Sequence, residues 1–389
     1  MTSQESLRYF ESMLPGCLSL LQQLVELESY SLDKDGVDAL AVFLAEEFRS
    51  RGAAVTLLPH AERGSALKAV WKTAADKKPI LVLGHLDTVW PRGAVAARPF
   101  RLEGRRAFGP GVFDMKSGIL LALMVCQALR DRVSKAGSDV IFFFTADEEV
   151  GTEAGLPALR QAAEACRAVL CLEPPLPGGK VKTFRKGVGT FHIRVSGIPA
   201  HAGVDHARGA NAILELSRQV VQLQAMTDYE RGITVSVGRI QGGTASNVVP
   251  AEAEAEVDFR VSSAADGEGM EKRIRSLAPF DPRCTLHIDG GVNRPPLERT
   301  PAVIALYQKA RVVAADLGMD LGEGSTGGGS DGSFTAAMGI PTLDGLGIDG
   351  DGAHATDEYV EIGDIPRRAA LLCQLIRALT NEAFEAILE

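Results

Sequence analysis

Three short stretches are apolar at every position: ILVL at 80–83, VIFFF at 140–144 and VLCL at 169–172. A strand with one face in water alternates polar and apolar residues, so an uninterrupted apolar run implies a strand covered on both faces, as in a parallel sheet. Segments with helical spacing of apolar residues separate these runs, notably Met115–Leu129 and Leu156–Ala165, and two more precede them at Cys17–Leu27 and Val37–Phe48. Alternating strands and helices predict an α/β architecture, a mostly parallel sheet flanked by helices.

The pattern changes after the Pro- and Gly-bearing stretch Pro174–Gly179. Alternating segments at Gly189–Ser196, Gly232–Ile240 and Ala251–Val261, a helix over Ala210–Met226, another near Gly269–Leu277 and a strand at Cys284–Ile288 follow in the order β-α-β-β-α-β. That order is the ferredoxin-like split βαβ unit. After a second break at Asn293–Pro296 the first style resumes and ends in a helix predicted over Ile365–Leu388. The expected organisation is a discontinuous catalytic domain, residues 1–180 and 296–389, interrupted by an inserted α+β lid domain at 181–295.

Partners are narrowed by charge. Lys and Arg number 41 against 50 Asp and Glu, with no basic block, so nucleic acid is a poor partner. The first 25 residues lack a basic segment followed by an apolar one, and no apolar run approaches 18 residues. A cytoplasmic protein with no membrane partner is expected. The six cysteines form no CxxC pair and read as buried thiols.

The apolar runs end in groups suited to binding metal. ILVLG runs into His85-Leu86-Asp87, VIFFFTAD into Glu148-Glu149, and VLCL into Glu173; Asp114 lies in the loop GPGVFD before the Met115 helix. Sites in open α/β sheets form beyond the carboxyl ends of the strands, where these groups can converge. Carboxylates with an imidazole suit a pair of zinc ions that need one bridging carboxylate, terminal ligands and an open position. Asp87 is placed to orient His85. Adjacent Glu148 and Glu149 diverge, so one is expected to bind metal and the other to act as general base.

The segments GHLDTVW (84–90), GPGVFDMKSG (109–118), TADEEVGT (145–152), CLEP (171–174), PAHAG (199–203), SNVVPAEAEAEVDFR (246–260) and GAHATDEYV (352–360) resemble those of the M20 family of di-zinc metallopeptidases. The resemblance implies that His85 and Glu173 bind one zinc, Glu149 and His354 the other, with Asp114 between them. It also implies that Asp87 orients His85 and that Glu148 is the general base, with cobalt or manganese as substitute metals. Glu at 173, TGGGSDGS (326–333) and the ending DEYVEIGDIPRR (357–368) look most like the glutamate carboxypeptidase branch, the carboxypeptidase G2 type. That branch implies release of a C-terminal glutamate from folate-like, N-acyl or peptidyl substrates; the alternative is an N-acyl-amino-acid deacylase of the acetylornithine deacetylase or succinyl-diaminopimelate desuccinylase type.

By the same resemblance the inserted domain is a lid that makes a homodimer, His201 helps to stabilise the oxyanion, and Asn247 and Arg260 bind substrate. A guanidinium at 260 can hold a substrate carboxylate with two parallel hydrogen bonds. Successive amides of Gly327, Gly328 and Gly329 can form an anion-binding nest. Among the seven histidines, His60, His192 and His287 read as surface or structural residues, and Trp90 as packing.

Overall fold

The computed structural model describes residues 2–131 and 135–381. The chain forms two compact units. The first comprises the chain through Phe184, Arg299–Ser325 and everything described from Ser330 onward; the second comprises Arg185–Glu298 and Thr326–Gly329.

The first unit is built on a six-stranded sheet in the order Ala54–Leu58, Ala66–Trp71, Val140–Thr145, Ile80–His85, Ala168–Cys171, Thr342–Leu343. Its last four strands run parallel, and at the other edge Ala66–Trp71 runs antiparallel to both of its neighbours. The apolar runs occupy the middle. Ile80, Val82, Phe142, Phe144, Ala168 and Leu170 pack into one apolar cluster, whereas Leu81, Leu83, Ile141, Phe143, Val169 and Cys171 pack into another. Alternate side chains thus fill opposite faces, which is why neither face tolerates a polar residue. Each Leu or Phe so placed contributes about 1.5–3 kcal/mol relative to leaving it in water. The two edge strands escape the sequence reading because Ala54–Leu58 is only half covered and lacks a clear period.

One face carries Ser3–Glu26, Lys34–Ser50, Ser117–Arg130, Pro301–Asp316 and Ile365–Asn381, and the other Leu156–Glu164 and Gly332–Ala337. The last helix is described to Asn381; the predicted continuation to Leu388 lies outside the described residues. By length and composition alone Val112–Arg130 is apolar enough to cross a membrane, but 89% of that window is buried inside the protein. Asp114, Lys116 and Ser117 interrupt it and disguise its length in a scan for apolar runs. Gly118 lets this helix touch the neighbouring strand end, since a Cβ there would stand 2.5 Å from the Leu172 carbonyl oxygen. All six cysteines are buried.

A second small sheet in this unit pairs Gly350–Asp351, Tyr359–Glu361, Arg106–Phe108 and Arg101–Glu103 in that order, all antiparallel. It sets the loop after Phe108 beside the segment before Tyr359.

The second unit is a four-stranded antiparallel sheet in the order Thr234–Gly242, Glu252–Val261, Gly187–Ser196, Thr285–Arg294, with helices Ala212–Gln224 and Ala264–Arg275. This is the ferredoxin-like arrangement expected from the element order. Helix Ala264–Arg275 begins five residues earlier than the sequence reading has it, because Ser263 caps the amide of Asp266 and outweighs the glycines at 267 and 269.

Candidate metal centre

All the groups expected to bind metal lie in the first unit, at the carboxyl end of its parallel strands. His85 closes the strand Ile80–His85 and is 1% exposed. Its Nδ1 lies 3.0 Å from the backbone carbonyl of Asp87 and 3.4 Å from that residue's Oδ1. Asp87 therefore fixes the ring with two oxygens, the main-chain one being closer. That contact leaves Nε2 to face the site, 3.3 Å from Asp114 Oδ1 and 3.4 Å from Glu173 Oε1.

Glu173 follows the strand Ala168–Cys171 by two residues and is 7% exposed. Asp114 sits in the wide turn Val112–Lys116, and its peptide bond to Met115 is cis. Gly111 starts this turn at φ 72°, a conformation that a side chain resists, and a Cβ there would meet Thr88 Cγ2 at 2.7 Å. The other oxygen of Asp114, Oδ2, lies 3.5 Å from His354 Nε2, which is also 3.1 Å from Glu149. His354 adopts φ 63°, in the left-handed region where a non-glycine residue costs energy.

Glu148 and Glu149 form a short 3₁₀ turn after the strand Val140–Thr145. The Asp87 carboxylate accepts from both of their amides, at 3.0 and 3.1 Å, and from Ser31 Oγ at 2.7 Å. One buried carboxylate thus holds the turn that directs the two glutamates apart. The Glu149 carboxylate meets His354, and that of Glu148 is 7% exposed and close enough to His85 for its charge to favour the imidazolium.

The electrostatics follow from this crowding. Burial opposes protonation of His85, but the carboxylates of Asp114, Asp87 and Glu173 outweigh it and hold the imidazole well above its ordinary value. Bonds to Asp114 and then Glu149 raise His354 to about 10. Asp114 is buried, which alone would raise it, yet the two imidazoles hold it well below the usual carboxylate range. Glu149 goes the other way, raised chiefly by burial. Imidazole protons therefore balance the carboxylates in the metal-free protein, and a divalent cation would take their place.

The donor set fits such cations. One ligand atom each of His85, Asp114 and Glu149 lies within 4.8 Å of the other two. Two imidazoles and three carboxylates, one with its oxygens turned to different histidines, match what borderline divalent ions take.

The remaining expected residues belong to the second unit. His201 is in the two-residue strand Ala200–His201, paired with Val248–Val249, and the Ala202 amide donates to the Asn247 carbonyl at 2.9 Å, so His201 and Asn247 are neighbours. The Arg260 guanidinium is already engaged: Nε and Nη2 donate to the two carboxylate oxygens of Asp258 at 2.9 Å, and Nη1 to the Gly327 carbonyl at 3.2 Å. Arg185 donates to the carbonyls of Gly328 and Gly329 at 3.1 and 2.9 Å. The glycine stretch thus presents carbonyls to two guanidiniums, and the Gly328 amide turns to Thr326 Oγ1 at 3.4 Å.

Four residues around the site escape the sequence reading. Ser31 bonds Asp87, and Asp331 accepts from Thr145 and Thr152 on either side of the Glu148–Glu149 turn. Buried Lys116 donates to the carbonyls of Val25 and Leu27 at the end of the helix Ser3–Glu26, at 3.3 and 2.8 Å, and burial pushes its ammonium down to about 7. Glu358 is buried against the Asp114 loop. Asp331, Lys116 and Glu358 lie inside segments singled out for other residues, and only their long-range contacts distinguish them from their neighbours.

Comparison with known proteins agrees with this geometry. The profile of Peptidase family M20/M25/M40 matches residues 81–378. Carboxypeptidase G2 of Pseudomonas sp. (strain RS-16) is 29% identical over 371 residues, covering 94% of this chain and 89% of that protein. Succinyl-diaminopimelate desuccinylase of Methylorubrum extorquens (strain PA1) is 30% identical, covering 93% and 98%. In fold, the chain is similar to aminopeptidase PepT from Bacillus cereus ATCC 10987, with a TM-score of 0.78 at 19% identity over 94% of this chain and 98% of that one. The match to the family across most of the chain, with a strand-end histidine and carboxylates gathered at one place, identifies the protein as a hydrolase of the M20/M25/M40 peptidase family.

Proposed function

We propose that the protein is a di-zinc carboxypeptidase that hydrolyses an amide next to a free α-carboxylate, releasing C-terminal glutamate from folate-like, N-acyl or peptidyl substrates. The observation that carries the dinuclear reading is Asp114, whose two oxygens face different imidazoles, His85 and His354, each with a further carboxylate beside it. Glu173 and His85 would hold one ion, Glu149 and His354 the other, and Asp114 both. Divalent zinc in such a site supplies Lewis acidity, polarising a carbonyl and acidifying a water to a pKa of about 7.

The protein's own groups supply the rest. Glu148 accepts a proton from the attacking water and returns it to the leaving amine, a role suited to a buried carboxylate whose backbone Asp87 fixes. Asp87 keeps His85 in the tautomer with Nε2 free to bind metal. His201 stabilises the developing oxyanion. Asn247, Arg260 and the backbone amides of Gly327, Gly328 and Gly329 bind the substrate's carboxylate end. For Arg260 this means exchanging Asp258 for the substrate, a trade of one bidentate partner for another.

Glutamate release is favoured by the 29% identity to carboxypeptidase G2 over 94% of the chain. The desuccinylase relative at 30% keeps N-acyl-amino-acid deacylation as the second reading. The protein is read as a cytoplasmic homodimer joined through the second unit. Supporting this, the second unit exposes Val204, Val221, Tyr229 and Ile240 and has edge strands at Thr234–Gly242 and Thr285–Arg294.

A panel of N-acyl amino acids and dipeptides varied at the C-terminal residue decides between the two readings. Glutamate-terminated substrates should exceed N-acetylornithine and N-succinyl-diaminopimelate in kcat/KM by at least about tenfold, the least that one specific contact supplies; the reverse order establishes the deacylase. Glu148→Gln should keep its metal, measured by elemental analysis, and lose about 10²–10⁴-fold in kcat. Full turnover would remove Glu148 as the base. Because His354 is protonated below about 10 and must be neutral to bind metal, loading at pH 7 should release at least one proton, and apparent affinity should rise from pH 6 to 8. Calorimetry in buffers of different ionisation enthalpy reads that release. Light scattering should give twice the 41.3 kDa chain mass; a monomer at micromolar concentration removes the dimer.

A further inference from the structure

The Glu358 carboxylate lies 2% exposed beside the loop that carries Asp114. The antiparallel pairing of Tyr359–Glu361 with Arg106–Phe108 brings it there, for Tyr359 is opposite Phe108 and Glu358 therefore adjoins the chain leaving the partner strand. Its Oε1 accepts from the amides of Phe113 and Asp114 at 2.8 and 2.9 Å. Its Oε2 accepts from the amide of Gly111 at 2.8 Å and from Trp90 Nε1 at 3.0 Å. A carboxylate has about four accepting positions, so these four donors use it fully and leave nothing to bind metal or substrate.

The donors come from different ligand-bearing segments. Trp90 ends the stretch that begins with His85, Gly111 to Asp114 form the turn that bears the bridging carboxylate, and Glu358 itself lies four residues after His354. We infer that Glu358 is a positioning residue which locks the His85, Asp114 and His354 segments in register, so that both oxygens of Asp114 stay turned towards their separate imidazoles. The inference rests on the reading of Asp114 as the ligand shared by two ions. Burial pushes the Glu358 carboxyl up to about 7 against the pull of its four N–H donors, which favour the ionised form; bonds to that form are about twice as strong as neutral ones, and four on one side chain hold the turn from several directions. Glutamine in the same place offers one accepting oxygen and sets its amide hydrogens against the donors on the other side.

The test compares wild type, Glu358→Gln and Trp90→Phe, the last removing one donor and leaving the carboxylate intact. Zinc stoichiometry and affinity are read by chelator competition, kcat and KM on the best N-acyl substrate, and melting temperature on the metal-free proteins. Glu358→Gln should bind zinc about 10–100-fold more weakly, as is usual when a group supporting a metal ligand is changed, and lose at least tenfold in kcat with KM within threefold. Trp90→Phe should weaken zinc binding less, by about threefold, since one of four contacts is lost. A residue that only stabilises the fold would lower the metal-free melting temperature and leave zinc affinity and kcat of the folded protein at wild-type values, an outcome that overturns the inference. If Glu358→Gln does not fold, Trp90→Phe decides alone, and zinc affinity equal to wild type overturns it. Wild-type protein that takes up fewer than two zinc ions overturns the dinuclear reading beneath it, a result separate from any difference among variants.

Discussion

Everything at the metal centre depends on where the Asp114 carboxylate is held. A carboxylate between two imidazoles, with Glu173 beyond one and Glu149 beyond the other, concentrates negative charge that two protons or two cations must offset. Water screens it only in part, because His85 is 1% exposed and the Asp114 side chain 15%, while about half of the His354 side chain faces solvent. The surrounding fold answers with rigid supports. Gly111 supplies a turn that other residues resist, the Asp87 carboxylate pins the Glu148–Glu149 turn, and Lys116 ties the loop to the end of the first helix.

The six-stranded sheet makes this concentration of charge sustainable. Three strands are filled with apolar side chains on both faces, and each strand end delivers one candidate ligand, His85, Glu149 or Glu173, to the same edge. The parallel direction of the strands matters more than the identity of their residues. It places the carboxyl ends side by side, so groups nearly ninety positions apart in sequence, His85 and Glu173, come within hydrogen-bonding range. His354 arrives by another route, from the small antiparallel sheet whose pairing also brings Glu358 to the Asp114 loop.

The second unit shows how position in the fold qualifies a residue's chemistry. Arg260 has the guanidinium expected of a carboxylate clamp, but in this structure Asp258 already occupies its fork. A strand places residues 258 and 260 on one face, so an alternating pattern containing both carries the partner along with the candidate. Salt bridges of this kind between partly exposed groups are worth little, about 0–1 kcal/mol, so exchanging Asp258 for another carboxylate would cost little.

The sequence by itself determined the doubly covered strands, the interrupted α/β organisation and the types of residue at the strand ends, since periodicity and composition respond directly to burial. The main metal-binding candidates were legible for the same reason: a charged group placed directly after a strand buried on both faces stands at the rim of the sheet, where ligands are held. Only the tertiary structure decided that the carbonyl of Asp87 is closer to His85 than its carboxylate, that the apolar helix Ser117–Arg130 belongs to the core, and that Ser31, Asp331, Lys116 and Glu358 support the site. The supporting residues depend on contacts across 56 to 268 residues of chain, and strand pairing, not local pattern, chooses which donor meets which carboxylate.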